Sequence, residues 1–122
     1  MQSPRKQQLR VLTQEDLLTV LLTALVLLVH GVHHQDNRWK VVKPYNAKLE
    51  RMAMCESTKR WHIVTRTRTA TYYGGLQFSL STWRSVGGRS YPHRNSKLEQ
   101  KYRAVLLIRR RGYQPWPICG SA

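Results

Sequence analysis

Residues 72–78 read Tyr-Tyr-Gly-Gly-Leu-Gln-Phe, two adjacent aromatics and a glycine pair closed by a third aromatic. A glycine pair allows backbone turns that other residues resist, and aromatic residues favour packed, pleated surfaces. The stretch predicts a hairpin or tight turn beside an aromatic surface. What lies on either side decides what that turn is built into.

Upstream, Asn46 is placed to cap a helix that reaches about Ser57. Leu49, Met52, Ala53 and Glu56 recur at i, i+3, i+4 and i+7, which is one helical face. A carboxylate therefore stands in line with an apolar stripe, while Lys48, Arg51 and Lys59 fall off it. Residues 60–71, rich in Thr and Arg, read as an irregular loop. Downstream, residues 80–86 fit a short helix stopped by Gly87 and Gly88. Ser96 and Glu99 form an S-x-x-E capping box for a last helix. Leu98, Tyr102, Val105 and Leu106 supply its apolar face, and Gly112 its stop. Pro115 and Pro117 then fix an extended tail carrying Trp116 and Cys119. The expected class is α+β, mostly α, with at most a small hairpin.

Ahead of this lies a different kind of sequence. Arg5, Lys6 and Arg10 precede the apolar run of residues 17–29, LLTVLLTALVLLV. A basic region followed by an apolar one of that length reads as a signal peptide or, uncleaved, as a membrane anchor over residues 1–32. The run is short against the roughly 20 apolar residues of a typical span. Residues 33–45 read as a linker, with polar His33, His34, Gln35, Asp36 and Asn37 and a helix-blocking Pro44. Residues 46–122 are left as the one folded domain. Export permits a disulfide.

Charge narrows the partners. The chain holds 21 Lys and Arg against six Asp and Glu, a formal net charge of +15. From residue 43 onward the only acids are Glu50, Glu56 and Glu99, among sixteen Lys and Arg. Such a surface is drawn to polyanions. Nucleic acid, an anionic membrane face and anionic cell-wall polymers all qualify, and charge alone does not choose; the export-like segment, and the lack of a helix-turn-helix or zinc pattern, argue against nucleic acid. Membrane contact is expected only through the N-terminal segment, and the protein is expected to be a monomer. The clusters Arg66 with Arg68 and Arg109 to Arg111 read first as solvated surface.

Three groups of residues carry candidate chemistry. Glu56, on an apolar stripe, would be desolvated and so hold its proton, as a general acid must; it would otherwise be a helix-end Glu paired with Lys or Arg. Most glycosidases need a second carboxylate about 5–9 Å away. Glu50 points to another helical face and Glu99 is assigned to the capping box, which leaves a route needing one acid. Cys55 and Cys119 bracket the domain and either pair or, with His62 or His93 as base, supply a nucleophile. Among the aromatics, Phe78 and Trp83 read as core, while Tyr72 and Tyr73 are candidates for a sugar-stacking groove. No cofactor is expected, nor a metal site, since His30, His33 and His34 have no cysteine nearby.

Ala53, Cys55, Glu56, Ser57, Trp61, Ile63 and Thr65 are followed by residues 72–78, then Thr82, Trp83, Gly87, Gly88, Glu99, Gln100, Trp116, Pro117 and Cys119. In order and spacing, over residues 46–120, this set resembles the transglycosylase-like catalytic domain of the resuscitation-promoting factors of actinobacteria. The resemblance implies a small lysozyme-like fold, a Cys55–Cys119 bridge and Glu56 as the catalytic acid. It places Tyr73, Gln77 and Thr82 along a substrate groove, to which Tyr72 and Trp61 are added as stacking candidates. It implies cleavage of MurNAc-GlcNAc bonds in peptidoglycan, by a lytic transglycosylase or a muramidase, in cell-wall remodelling or resuscitation. The chain departs from the pattern at Thr58, Lys59 and Arg60, where the family has Gly-Gly-Asn. Leu49 stands for a Trp and Arg111 for a Gln, and the loop of residues 64–71 is longer and lacks glycine. A catalytically impaired wall-binding module is the alternative that these departures raise.

Overall fold

The fold was analysed in a computed structural model, which describes residue 11 and residues 13–122, apart from the side chains of residues 32–36. The chain divides into two units, residues 1–34 and 35–122. The first unit is dominated by helix α1, Gln14–Val42, whose bounds run into the second. Its stretch Gln14–Gly31 is long and apolar enough to cross a membrane, none of it buried, and it resembles a signal sequence equally well. Glu15 and Asp16 open the helix, where carboxylates suit its positive end. The side chains of His33 and His34 lie outside the described residues.

In the second unit, residues 35–42 close α1 and a 3-10 turn, Lys43–Tyr45, leads into α2, Asn46–Ser57. Residues 35–45, read from the sequence as part of a linker, are therefore helical. Val42 is fully buried in the core and Arg38 pairs with Glu99. Pro44 does not interrupt the path, because it sits in the first turn of the 3-10 segment, where a missing N–H costs nothing. Nor does Asn46 cap α2: Tyr45 holds that position, and the Asn46 side chain accepts a hydrogen bond from Lys101 Nζ at 2.6 Å. Its own N–H already bonds to the Lys43 carbonyl, so no side-chain cap is needed.

Helix α2 buries Leu49, Met52, Ala53 and Ser57, with Glu56 at the margin of that face. It ends at Thr58 and Lys59, both in the left-handed region at φ 54° and 60°. A β-branched residue there costs about 1–2 kcal/mol. Thr58→Gly is expected to stabilise the domain by about 1 kcal/mol, raising Tm by about 5 °C in a thermal melt. An unchanged or lower Tm would show that the Thr58 hydroxyl, which donates to the Ser57 carbonyl at 2.6 Å, offsets the strain.

Residues 60–71 are more ordered than their composition implied. β1, Val64–Arg66, pairs antiparallel with β2, Thr71–Tyr73, with Arg66 opposite Thr71. The connection is tied by the Thr67 N–H and hydroxyl, both bonding the Ala70 carbonyl. Directly after β2 the expected tight turn is present. Tyr73 and Phe78 exchange both backbone hydrogen bonds around Gly74 to Gln77. Gly75 is required by close approach: a Cβ there would lie 2.4 Å from the Trp61 ring.

Helix α3, Leu80–Ser85, is capped by Ser79, whose hydroxyl accepts from the Thr82 N–H. Helix α4, Lys97–Arg111, is capped by Ser96, which accepts from the Glu99 N–H. The Glu99 side chain, however, bonds Arg103 and Arg38, so only half of the capping box forms. The most buried face of α4 is Ala104, Val105, Leu107 and Ile108, a step round from the expected stripe; Leu98, Tyr102 and Leu106 are partly buried beside it. After Gly112 the chain is not extended but turns repeatedly, ending in a 3-10 turn at Cys119–Ser121.

These elements enclose one core of Leu49, Met52, Leu76, Phe78, Trp83, Leu107 and Trp116, among others. Phe78 meets Trp83 and Trp116 edge-on at 5.3 and 5.8 Å. Trp116 Nε1 donates to the Leu76 carbonyl at 2.8 Å, which fixes the C-terminal segment to the Gly74–Gln77 turn. The expected class, α+β and mostly helical with a small two-stranded sheet, is what the chain adopts. A Cys55–Cys119 disulfide joins the end of α2 to the C-terminal turn.

Candidate active site

The disulfide brings the C-terminal turn against the last turn of α2, where Glu56 follows Cys55. A cavity of about 420 Å³ opens there, lined by Cys55, Glu56, Tyr72, Gln77, Pro115, Trp116, Pro117, Ile118 and Cys119. A second cavity of about 280 Å³ shares Tyr72, Gln77, Pro115 and Trp116 with the first and continues to Ser79, Thr82, Leu107 and Arg111. Together they form a groove floored by the 72–78 turn and walled by the C-terminal segment. Glu56 is the only carboxylate among its lining residues.

Glu56 is half-buried, and no hydrogen bond or ion pair to its side chain is found among the described residues. Burial alone pushes its pKa up from the ordinary carboxylate value. It is therefore not the helix-end Glu neutralised by a lysine. Its neighbour on the same helix shows the contrast. Glu50 is held by Lys59, Lys97 and Lys101. Burial opposes its ionisation, but the hydrogen bonds from Lys101, Lys97 and Lys59 win and hold its pKa at about 2. It lines a different cavity, with Trp39, Asn46, Lys97, Leu98 and Lys101. Glu99 is likewise spent on Arg38 and Arg103.

The Glu50 cluster carries a pH prediction. A carboxylate whose folded pKa is depressed contributes stability that is complete above its unfolded pKa and lost as pH falls through the folded one. Glu50→Gln is thus expected to lower Tm at pH 7. The gap to the wild type should close between about pH 4, the ordinary carboxylate value, and about pH 2. A gap that persists unchanged at pH 2 would mean that packing, not charge, is lost.

Of the residues expected to bind substrate, Tyr72, Gln77 and Thr82 line the groove with Glu56. Tyr73 and Trp61 do not. Alternation along β2 sends Tyr73 to the other face, where its ring lies 5.4 Å from Tyr91 and 5.5 Å from His93. Trp61 packs against Gly75, with the ammonium groups of Lys97 and Lys101 over its ring at 5.2 and 5.6 Å. Gln77, at φ 51°, donates from its side chain to the Gly74 carbonyl at 2.9 Å. Pro115 and Ile118 are wall residues that sequence reasoning did not single out; their proximity to a cysteine bridged to Cys55 was the available signal. With Cys55 in the bridge, a cysteine nucleophile is excluded.

A family model for the transglycosylase-like domain matches residues 43–119, more than half of the chain. The chain belongs to this family. Among relatives of the transglycosylase-like domain, resuscitation-promoting factor Rpf of Micrococcus luteus is 47% identical over 72 residues, covering 59% of this chain and 31% of that protein. Resuscitation-promoting factor RpfE of Mycobacterium tuberculosis is 38% identical over 76 residues, covering 62% and 42%. Resuscitation-promoting factor Rpf1 of Corynebacterium glutamicum is 36% identical over 76 residues, covering 60% and 38%. The chain thus spans less than half the length of each of these relatives.

Proposed function

We propose that this protein is an exported glycosidase of the lytic transglycosylase type, which cleaves the MurNAc-GlcNAc bond of peptidoglycan with Glu56 as its one acid and base. The observation that carries this reading is a half-buried carboxylate, with no partner among the described residues, that is the one acid lining the groove. Family membership and the relatives named resuscitation-promoting factors support a glycan of the cell wall as substrate. Export rests on the apolar N-terminal helix, and attraction to anionic wall polymers on the net charge.

The chemistry follows from the groove's having no second carboxylate among its described lining residues. Desolvation shifts Glu56 toward its protonated form, and in that form it hands its proton to the glycosidic oxygen as the C1–O bond breaks. Charge then builds on C1 of the MurNAc ring. With no second carboxylate to trap it or to activate water, the sugar's own 6-hydroxyl closes on C1 and gives its proton to Glu56. The products are a GlcNAc end and a 1,6-anhydro-MurNAc end; no water is consumed, and Glu56 returns to its starting form. Gln77, Thr82 and Tyr72 are the groove's hydrogen-bonding and stacking side chains.

The alternative of a wall-binding module without catalysis drew on the altered stretch 58–71. None of those residues lines the groove, and Arg111, the departure that does, lines the second cavity and not the one that holds Glu56, which favours the enzymatic reading. Mass spectrometry of digested peptidoglycan tests it: anhydro-muropeptides, one water lighter than hydrolysis products, are expected. Hydrated products would replace the transglycosylase mechanism by a muramidase one, and release of no soluble product would leave only binding.

A further inference from the structure

The end of the groove away from Cys55 carries Arg111, the last residue of α4. Two arginines precede it, and both are engaged. Arg109 lies 6.0 Å over the Tyr45 ring, and Arg110 donates to the Ser85 carbonyl at 2.8 Å. Arg103, two turns back, is spent on Glu99 and the Val86 carbonyl. Arg111 has no acid, carbonyl or ring partner among the described residues, and it is exposed. Its neighbours in the groove are neutral: Tyr72, Gln77, Ser79, Thr82, Pro115 and Trp116. The groove thus holds one half-buried carboxylate and one unspent guanidinium. No ion pair joins Arg111 to Glu56 among the described residues.

A guanidinium has five N–H donors in a planar fork that fits an oxyanion in two parallel hydrogen bonds. Resting on the proposed glycan cleavage, we infer that Arg111 is a specificity residue that binds a carboxylate carried by the glycan strand, on a lactyl group or a stem peptide, and so selects acidic strands over neutral ones. It touches neither the scissile bond nor Glu56; it holds the strand. The position suits discrimination, because a neutral polysaccharide of the same backbone would leave the guanidinium with nothing but water.

Binding separates this inference from catalysis. The full-length Glu56→Gln protein, alone and with Arg111→Gln added, is titrated at low salt with three soluble ligands. These are peptidoglycan strands with free carboxylates, the same strands with the carboxylates converted to amides, and a neutral β-1,4-linked GlcNAc oligomer. Arg111→Gln is expected to weaken binding about fivefold, as a partly exposed ion pair would, on the first ligand only. The loss should disappear at high salt. Strands stripped of phosphate should bind like the untreated ones; if dephosphorylation rather than amidation removes the difference, the anion is a phosphate and the inference falls. Equal weakening on all three ligands, or none on any, also overturns it. If Glu56→Gln still cleaves the strands, the proposed mechanism fails while the Arg111 result stands.

Discussion

Glu56→Gln is expected to reduce release of muropeptides by about 10³-fold or more, since general acid and base catalysis by a positioned group contributes about that much. The substitution keeps the shape of the side chain and removes the proton. It should also leave the domain folded, and at neutral pH slightly more stable. The sign follows from burial. A carboxyl whose folded pKa is raised binds its proton more tightly when folded, so its ionisation costs stability as pH rises through that pKa. Glutamine has no such cost. The expected pair of readings is therefore lost lysis together with a Tm equal to or above wild type at pH 7. Retained lysis would remove Glu56 from the mechanism. Lost lysis with a fall in Tm would mean that the residue is structural.

Removing the bridge, by Cys55→Ser with Cys119→Ser, is expected to lower Tm by about 20 °C. The closed loop separates its ends by 64 positions, and a crosslink of that span stabilises by about 4 kcal/mol in the chain-entropy model. For a domain of this size each kcal/mol moves Tm by about 4–8 °C. The same fall should follow in wild type heated with dithiothreitol, and the reductant should have no effect on the double variant. Both cysteines line the groove, so activity should decline well below the new Tm as the C-terminal wall loosens. A fall of less than about 5 °C would show that the Trp116–Leu76 hydrogen bond and the aromatic core hold that segment unaided.

How much of this was legible in the sequence varies with the physics of each element. Glu56 was legible because helical periodicity is strict: three apolar residues at the right spacing predict the direction of the fourth. The 73–78 turn was legible from its glycines. Tyr73 was not, because neighbouring aromatics on a strand take opposite faces, and the sequence did not reveal which would turn toward the groove. β1 was missed because Thr and Arg mark an exposed hairpin no differently from a loop; its order comes from pairing with β2. In the stretch read as a linker, polarity was taken as solvent exposure. Arg38 is instead consumed by Glu99, and Val42 is the first residue of the core.

That last feature bears on how the protein can be trimmed in its native setting. If the apolar N-terminal segment is removed by a protease, a cut ahead of Arg38 leaves the Arg38–Glu99 pair and buried Val42 in place. A cut nearer Asn46 would remove Val42 from the core and leave Glu99 paired with Arg103 alone.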